Sequence, residues 1–255
     1  MEPERYPILE FDPARDAILN PQRPKTAADI PGKAVLCFFQ EVLLDLVAQG
    51  KLVQVSKLIS EMGDNPIYVL EHEGQHITVM HPGVGASLAA GFLDELIAHG
   101  VDRCLAVGGA GVLTNTTDAG HPFIIISAVR DEGTSYHYLP AGREVGPAPE
   151  ATAALQAALD AKSMPYEMVK SWTTDGIFRE TAAKRDLRVR EGCRVVEMEA
   201  SAFFAVAQFR GVKFGQMVYG GDLVVPEGWD GRRWNDRMSD RQRMFWLAVE
   251  ACVRL

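Results

Sequence analysis

Val195-Val196-Glu197-Met198-Glu199-Ala200-Ser201 begins with β-branched residues, sets two carboxylates around a methionine, and then turns to small residues. It reads as a strand over Val195 to Met198 giving way to a helix from Ala200 to Arg210, with acids at the junction where a helix N-terminus favours them. Outward from this junction the same alternation recurs. Ala34 to Phe39 is a continuous apolar run, as a strand covered on both faces requires. Glu41 to Gln49 has apolar residues at helical spacing and stops at Gly50. Ile67 to Leu70 and His76 to Met80 flank Glu73-Gly74 as a hairpin would. A helix is expected from about Ser87 to His99, a strand over Cys104 to Val107, and a longer strand over Phe123 to Val129. Residues 131–149 read as a surface excursion. An alanine-rich helix over Ala151 to Lys162, a strand over Tyr166 to Lys170 and a basic helix over Phe178 to Arg190 follow. A strand over Phe214 to Tyr219 ends in Gly220-Gly221-Asp222, and an amphipathic helix closes the sequence over Asp236 to Arg254.

Strands alternating with helices imply an α/β fold with a mainly parallel sheet covered on both faces. The 255 residues show no linker and no repeat, so a single domain is expected over 1–255, with a proline-rich extended lead-in over 1–33. A net charge of -8 argues against a broad nucleic-acid or anionic-membrane footprint, and 47% hydrophobic residues argue against disorder. No apolar stretch is long enough to span a bilayer, and the charged, proline-bearing start does not resemble a signal peptide, so a cytoplasmic protein is expected. The four cysteines form no C-x-x-C pair; Cys37 and Cys104 sit in apolar runs as small hydrophobes. The histidines show no ligand spacing, so no metal site is expected.

In open α/β sheets ligands bind beyond the carboxyl ends of the strands, which selects a few segments. Gly83-Val84-Gly85 would let backbone amides approach an anion at a helix start, although it lacks the full dinucleotide and P-loop patterns. Gly108-Gly109-Ala110-Gly111 either packs something flat against backbone or simply turns the chain. Glu197 and Glu199 are solvated helix-start acids or a sugar clamp, in which a carboxylate accepts from vicinal hydroxyls and Met198 packs beneath the ring. Asp222 either caps a turn or donates a proton. Trp229 and Trp234 either anchor the last helix or cover a pocket. The basic stripe Lys184-Arg185 and Arg188 to Arg190 reads as a solvated face or a subunit contact.

The Val195–Ser201 run resembles the signature of the nucleoside phosphorylase family, which includes purine and uridine phosphorylases and nucleosidases. Gly83-Val84-Gly85, Gly108–Gly111 and Asp222 fall in the matching order, and Val129 to Pro140 is similar to a segment of the uridine phosphorylase branch. The resemblance covers roughly residues 33–225. It implies one α/β domain with a mixed, largely parallel and partly barrel-like sheet flanked by helices, a homodimer or higher homo-oligomer, a nucleoside as the small-molecule partner, and no cofactor beyond phosphate as a possible co-substrate. It further implies that Glu199 holds the ribose 2′- and 3′-hydroxyls, with Met198 against the sugar and Glu197 nearby. Gly109, Ala110 and Gly111 would line the wall beside the base, Phe178 would stack on it and Arg179 would bond its carbonyl edge. Asp222 matches the acid that purine-cleaving members use to protonate the leaving base.

The resemblance breaks where phosphate would sit. Phe38-Phe39-Gln40-Glu41 replaces a Gly-Asp-Pro turn with its arginine, Ala106 replaces a second arginine, and Gly109 replaces a hydroxyl donor. Only Gly85 and Gly108 remain as anion-contacting positions. Charge-assisted bonds to a dianion are among the strongest a site makes, so their loss should remove most phosphate affinity. Phe39-Gln40-Glu41-Val42 is similar to the nucleosidase motif in which a glutamate activates water, the other reading of Glu41 being an exposed helix-start acid. The sequence thus points to N-glycosidic cleavage of a purine or pyrimidine ribonucleoside by a phosphorylase-like pentosyltransferase. The alternatives are a hydrolase using Glu41, or a nucleoside sensor without turnover.

Overall fold

The computed structural model describes residues 3–22 and 29–255. Of the expected lead-in, residues 1–2 and 23–28 lie outside the described residues; the rest carries a 3-10 turn, Pro7–Leu9. The strands are β1 (Lys33–Cys37), β2 (Leu52–Ser60), β3 (Gly63–His72), β4 (Gln75–Met80), β5 (Arg103–Val112), β6 (Pro122–Asp131), β7 (Glu144–Val145), β8 (Glu167–Thr174), β9 (Cys193–Glu197), β10 (Lys213–Val225) and β11 (Gly228–Asp230). The helices are α1 (Gln40–Ala48), α2 (Ala86–Ala98), α3 (Pro149–Ala161), α4 (Ala182–Arg190), α5 (Ala200–Arg210) and α6 (Met238–Arg254). The 3-10 turn Ile177–Arg179 and helix α4 together occupy the span expected as one basic helix.

All strands join one mixed sheet in the order β11-β10-β6-β8-β9-β5-β1-β4-β3-β2, with β7 beside β6. Because β10 also pairs with β5, the strands β5, β10, β6, β8 and β9 close into a ring, and β1, β4, β3 and β2 extend from it. The pairings β1–β4, β1–β5, β5–β10, β6–β8 and β8–β9 are parallel. Antiparallel pairing enters at the hairpins and at the two ring seams, β10–β6 and β5–β9.

Two apolar layers cover the sheet. On one side α2 and α5 pack against Leu36, Ala106, Phe214 and Val218, and α5 is buried almost all round, including Phe203 and Phe204. On the other, α1, α3 and α6 pack against Val35, Leu105, Met217 and Tyr219. Burial of each such large side chain contributes about 1.5–3 kcal/mol. The four cysteines are free and buried. Among the described residues no helix is long and apolar enough to cross a membrane.

Three local readings change. The Gly108–Gly111 run is not a turn but stays inside β5, because β10 pairs along it and β9 pairs at its end. Asp222 likewise lies within β10 rather than after it. Residues 131–149 are not merely superficial: Glu132 and Ser135 are buried, and Glu132 accepts from Ser201 Oγ at 2.8 Å.

Candidate active site

A cavity of about 1040 Å³ opens where β1, β5, β9 and β10 converge. Its walls include Phe38, Gly108–Gly111, Glu197–Glu199 and Asp222, so the carboxylates of the β9–α5 junction and of β10 face one space. Sheet geometry explains this meeting. Gly111 pairs with Val196 across the β5–β9 seam, which sets the glycine strand beside the Glu197 turn. On β10, Gly220 pairs with Ala110 but Leu223 pairs with Val112, so one extra residue bulges at Gly221-Asp222. A bulge re-aims a side chain, and here it turns the Asp222 carboxyl into the cavity. Trp229 on β11 donates its indole N–H to Asp222 Oδ2 at 2.6 Å.

The two glutamates divide their work. Glu197 Oε1 accepts from Ser171 Oγ (2.8 Å) and Thr173 Oγ1 (2.6 Å), and Oε2 accepts from the Glu199 N–H (2.8 Å) and the Ala200 N–H (2.6 Å). It ties β8 to the first turn of α5, so both its oxygens are engaged within the protein. Burial pushes its pKa up while those four bonds pull it down. Glu199 Oε1 accepts the Gly85 N–H at 2.6 Å, and its residue lines the cavity. Burial, with the neighbouring Glu197 charge adding, raises the Glu199 pKa to about 8. The Gly85 amide, an expected anion contact, is therefore already given to an internal carboxylate. Gly85 has φ 91°, a conformation that favours glycine.

Of the other sequence-derived positions, Met198, Gly108, Gly109, Ala110, Gly111 and Phe178 line the cavity. Phe178 is 93% exposed, at the rim rather than stacked inside. Arg179 and Glu41 are not among the lining residues. Glu41 instead forms an ion pair with Arg241 of α6.

Long-range packing adds residues that local sequence reading missed. Arg241 lines the cavity, donating to Tyr219 Oη at 3.1 Å and to the Trp234 carbonyl at 2.9 Å, and lies over the Phe39 and Trp234 rings. Tyr219 stands against Gly109, where a Cβ would meet its ring at 3.3 Å, and Phe38 stands against Gly108 at 3.0 Å. Glu180, between the Ile177–Arg179 turn and α4, lines the same space; burial, with the Asp222 charge adding, raises its pKa to about 7. An acid directly after Phe178-Arg179 in a partly apolar loop is the only sequence signal that could have marked it. Gln216 is buried within β10, lines the cavity, and has no hydrogen-bond partner for Oε1. Among the described residues no group of three His, Cys, Asp or Glu side chains is placed to hold a metal.

With this geometry in place, comparison with known families decides the lineage. The family model described as the phosphorylase superfamily matches residues 33–243. The chain belongs to the phosphorylase superfamily. Among relatives in the phosphorylase superfamily, a guanosine phosphorylase from Halorubrum lacusprofundi is 25% identical over 171 residues, 67% of this chain and 71% of that protein. The phosphorylase superfamily fold recurs in the crystal structure of uridine phosphorylase from Vibrio fischeri, with a TM-score of 0.73 at 18% identity, covering 93% of this chain and 99% of that one. It recurs also in AMP nucleosidase from Bacteroides thetaiotaomicron, with a TM-score of 0.69 at 20% identity, covering 88% and 87%.

Proposed function

We propose that the protein cleaves the N-glycosidic bond of a purine or pyrimidine ribonucleoside. The observation that carries this reading is the shared cavity: Glu199 and Asp222 line it from the two strands that flank β5, β9 and β10, with the side-chain-poor Gly109–Gly111 ribbon between them. In this reading Glu199 accepts from the ribose diol and Met198 packs on the sugar. Glu197 holds that turn in place from behind. The base lies along Gly109, Ala110 and Gly111, with Phe178 at the rim.

Bond breaking leaves positive charge on the ribose and negative charge on the base. The carboxylates beneath the sugar favour the first, an electrostatic contribution made by groups already fixed in position. Asp222 protonates the departing base, a step worth about 10²–10⁴ in rate. The names of the relatives, a guanosine phosphorylase and a uridine phosphorylase, support a nucleoside as substrate. No cofactor enters this chemistry; the acceptor of the ribosyl group is phosphate or water.

The test is release of free base from a panel of purine and pyrimidine ribonucleosides, by the intact protein and by Asp222→Asn. The expected result is turnover of at least one nucleoside, lowered about 10²-fold or more by the substitution. Tight nucleoside binding with no turnover would replace this reading with a sensor.

A further inference from the structure

We propose that Trp229 is a positioning residue for the acid: its indole N–H fixes Asp222 so that the proton given to the base leaves from Oδ1. This rests on the glycosidic-cleavage reading above and deepens it at the step of proton donation.

The backbone sets the ring in place. β11 pairs antiparallel with β10, and Trp229 stands directly opposite Val224. Val224 and Asp222, two residues apart on one strand, point to the same face, which is where the indole hangs. Gly111 meets both of them: a Cβ there would lie 2.9 Å from Val224 and 3.5 Å from Asp222 Oδ1. Behind the indole, a Cβ on Gly231 would meet the ring at 2.9 Å, so the ring packs directly on backbone. Trp229 is thus held between its own turn and Asp222, with its N–H 2.6 Å from Oδ2. Among the described residues this is the one hydrogen bond to the Asp222 carboxyl.

The two carboxyl oxygens thereby receive different work. An indole nitrogen donates and never accepts, so Oδ2 must accept from it and cannot turn a proton toward it. Oδ1 lies against Gly111, part of the ribbon along which the base lies in this reading. When the carboxyl is protonated, its proton therefore sits on Oδ1, on the side of the base. Without the indole N–H the carboxyl could turn about its Cβ–Cγ bond and carry the proton on either oxygen.

The same bond strengthens as the reaction proceeds. The Oδ1–H bond breaks, and its proton goes to the base, which takes the electron pair of the breaking C1′–N bond. The ribosyl acceptor, phosphate or water, forms the new bond to C1′ and gives up one proton to solvent, from which Asp222 is recharged. Asp222 passes from neutral acid to carboxylate in this step. A hydrogen bond to an ionised acceptor is roughly twice as strong as one to a neutral acceptor, so Trp229 holds Asp222 more tightly after transfer than before. An interaction that grows toward the transition state raises kcat and leaves ground-state binding alone.

The experiment measures base release by the intact protein, Trp229→Phe, Asp222→Asn and the double variant, on whichever ribonucleoside of the panel turns over. Phe keeps an aromatic ring and loses the N–H. Trp229→Phe is expected to lower kcat by about tenfold to 10²-fold, the cost of a misaimed catalytic group, with KM changed less than about threefold. The double variant should match Asp222→Asn alone within about twofold, because the two residues act as a unit. A multiplied loss in the double variant, a raised KM at unchanged kcat, or parental kinetics in Trp229→Phe would overturn the proposal while leaving glycosidic cleavage and its acid intact. No base release by the intact protein, or full release by Asp222→Asn, would overturn the underlying reading as well. A second measurement needs no turnover. The indole N–H resonance of Trp229, assigned as the one that Trp229→Phe lacks, should move upfield in Asp222→Asn as a charged acceptor becomes a neutral one. An unmoved resonance would overturn the contact itself, and an unshifted resonance from the enclosed Trp172 reports that each variant is folded.

Discussion

Glu199 and Gly85 join the two turns that frame the cavity: the Gly85 N–H, at the start of α2, donates to Glu199 Oε1, at the start of α5, across 2.6 Å. Gly85 holds φ 91° with open space where a Cβ would point, so the cost of a side chain there is conformational and not a clash. Gly85→Ala is expected to lower stability by about 1–3 kcal/mol and to lower kcat/KM by loosening Glu199. Chemical denaturation and steady-state kinetics check this; an Ala variant equal to the parent in both would show that the turn does not hold the carboxylate.

Glu197 and Glu199 should separate cleanly on substitution. Glu197→Gln places an NH₂ group where four donors converge, so it should melt well below the parent, each unpaired buried group costing about 1–3 kcal/mol. Glu199→Gln should stay folded and lose nucleoside affinity or turnover by at least about tenfold above pH 8, where the parent side chain is a charged hydrogen-bond acceptor, and by less below it. Thermal melts beside kinetics distinguish the two; the reverse pattern would exchange their roles.

Activity should fall as pH rises through about 7. Glu180 has its pKa raised to about 7 by burial beside the Asp222 charge. A base that covers it without a cation deepens that desolvation and so binds better to the protonated form. The protonated fraction is complete well below pH 7 and is lost above it, so kcat/KM is level on the acid side of this group and declines on the alkaline side. Glu180→Gln should keep the acid-side value and abolish the decline. An unchanged inflection in the variant would assign it to another group.

Glu41 offers a test in the opposite sense. Its carboxylate is held by Arg241 and is not part of the cavity wall. Glu41→Gln should therefore alter base release less than about threefold, while lowering the melting temperature through the weakened, partly exposed ion pair. A collapse of turnover with the fold intact would restore Glu41 as the group that activates the acceptor.

What the sequence made legible is what local pattern encodes. The strand expected over Ala34–Phe39, which runs over Lys33–Cys37, the Glu73-Gly74 hairpin and the Glu197–Ala200 junction are set by short apolar runs, turn residues and helix starts, and all three elements stand in the structure. Strand β2 was not legible: only Leu52 and Leu58 of its nine residues are buried, so it lacks the apolar alternation of a half-buried strand. The glycines of β5 look like a turn by propensity, yet ladders to β10 and β9 hold them extended. Arg241 and Gln216 reach the cavity only through the folding of distant segments, and no spacing along the chain marks them, whereas Glu180 has only its place beside Phe178-Arg179 to mark it. The bulge that aims Asp222 depends on a register slip between β10 and β5, which a single strand cannot show.

The hairpin formed by β10 and β11 suspends an indole from Asp222, because the Trp229 N–H reaches Oδ2 at 2.6 Å while the ring remains 66% exposed. Trp172, by contrast, is wholly enclosed. The proposed acid thus carries its own optical indicator: read in a variant that lacks the other exposed indole, Trp234, the emission of Trp229 registers the arrival of a ligand, without any label having to be introduced.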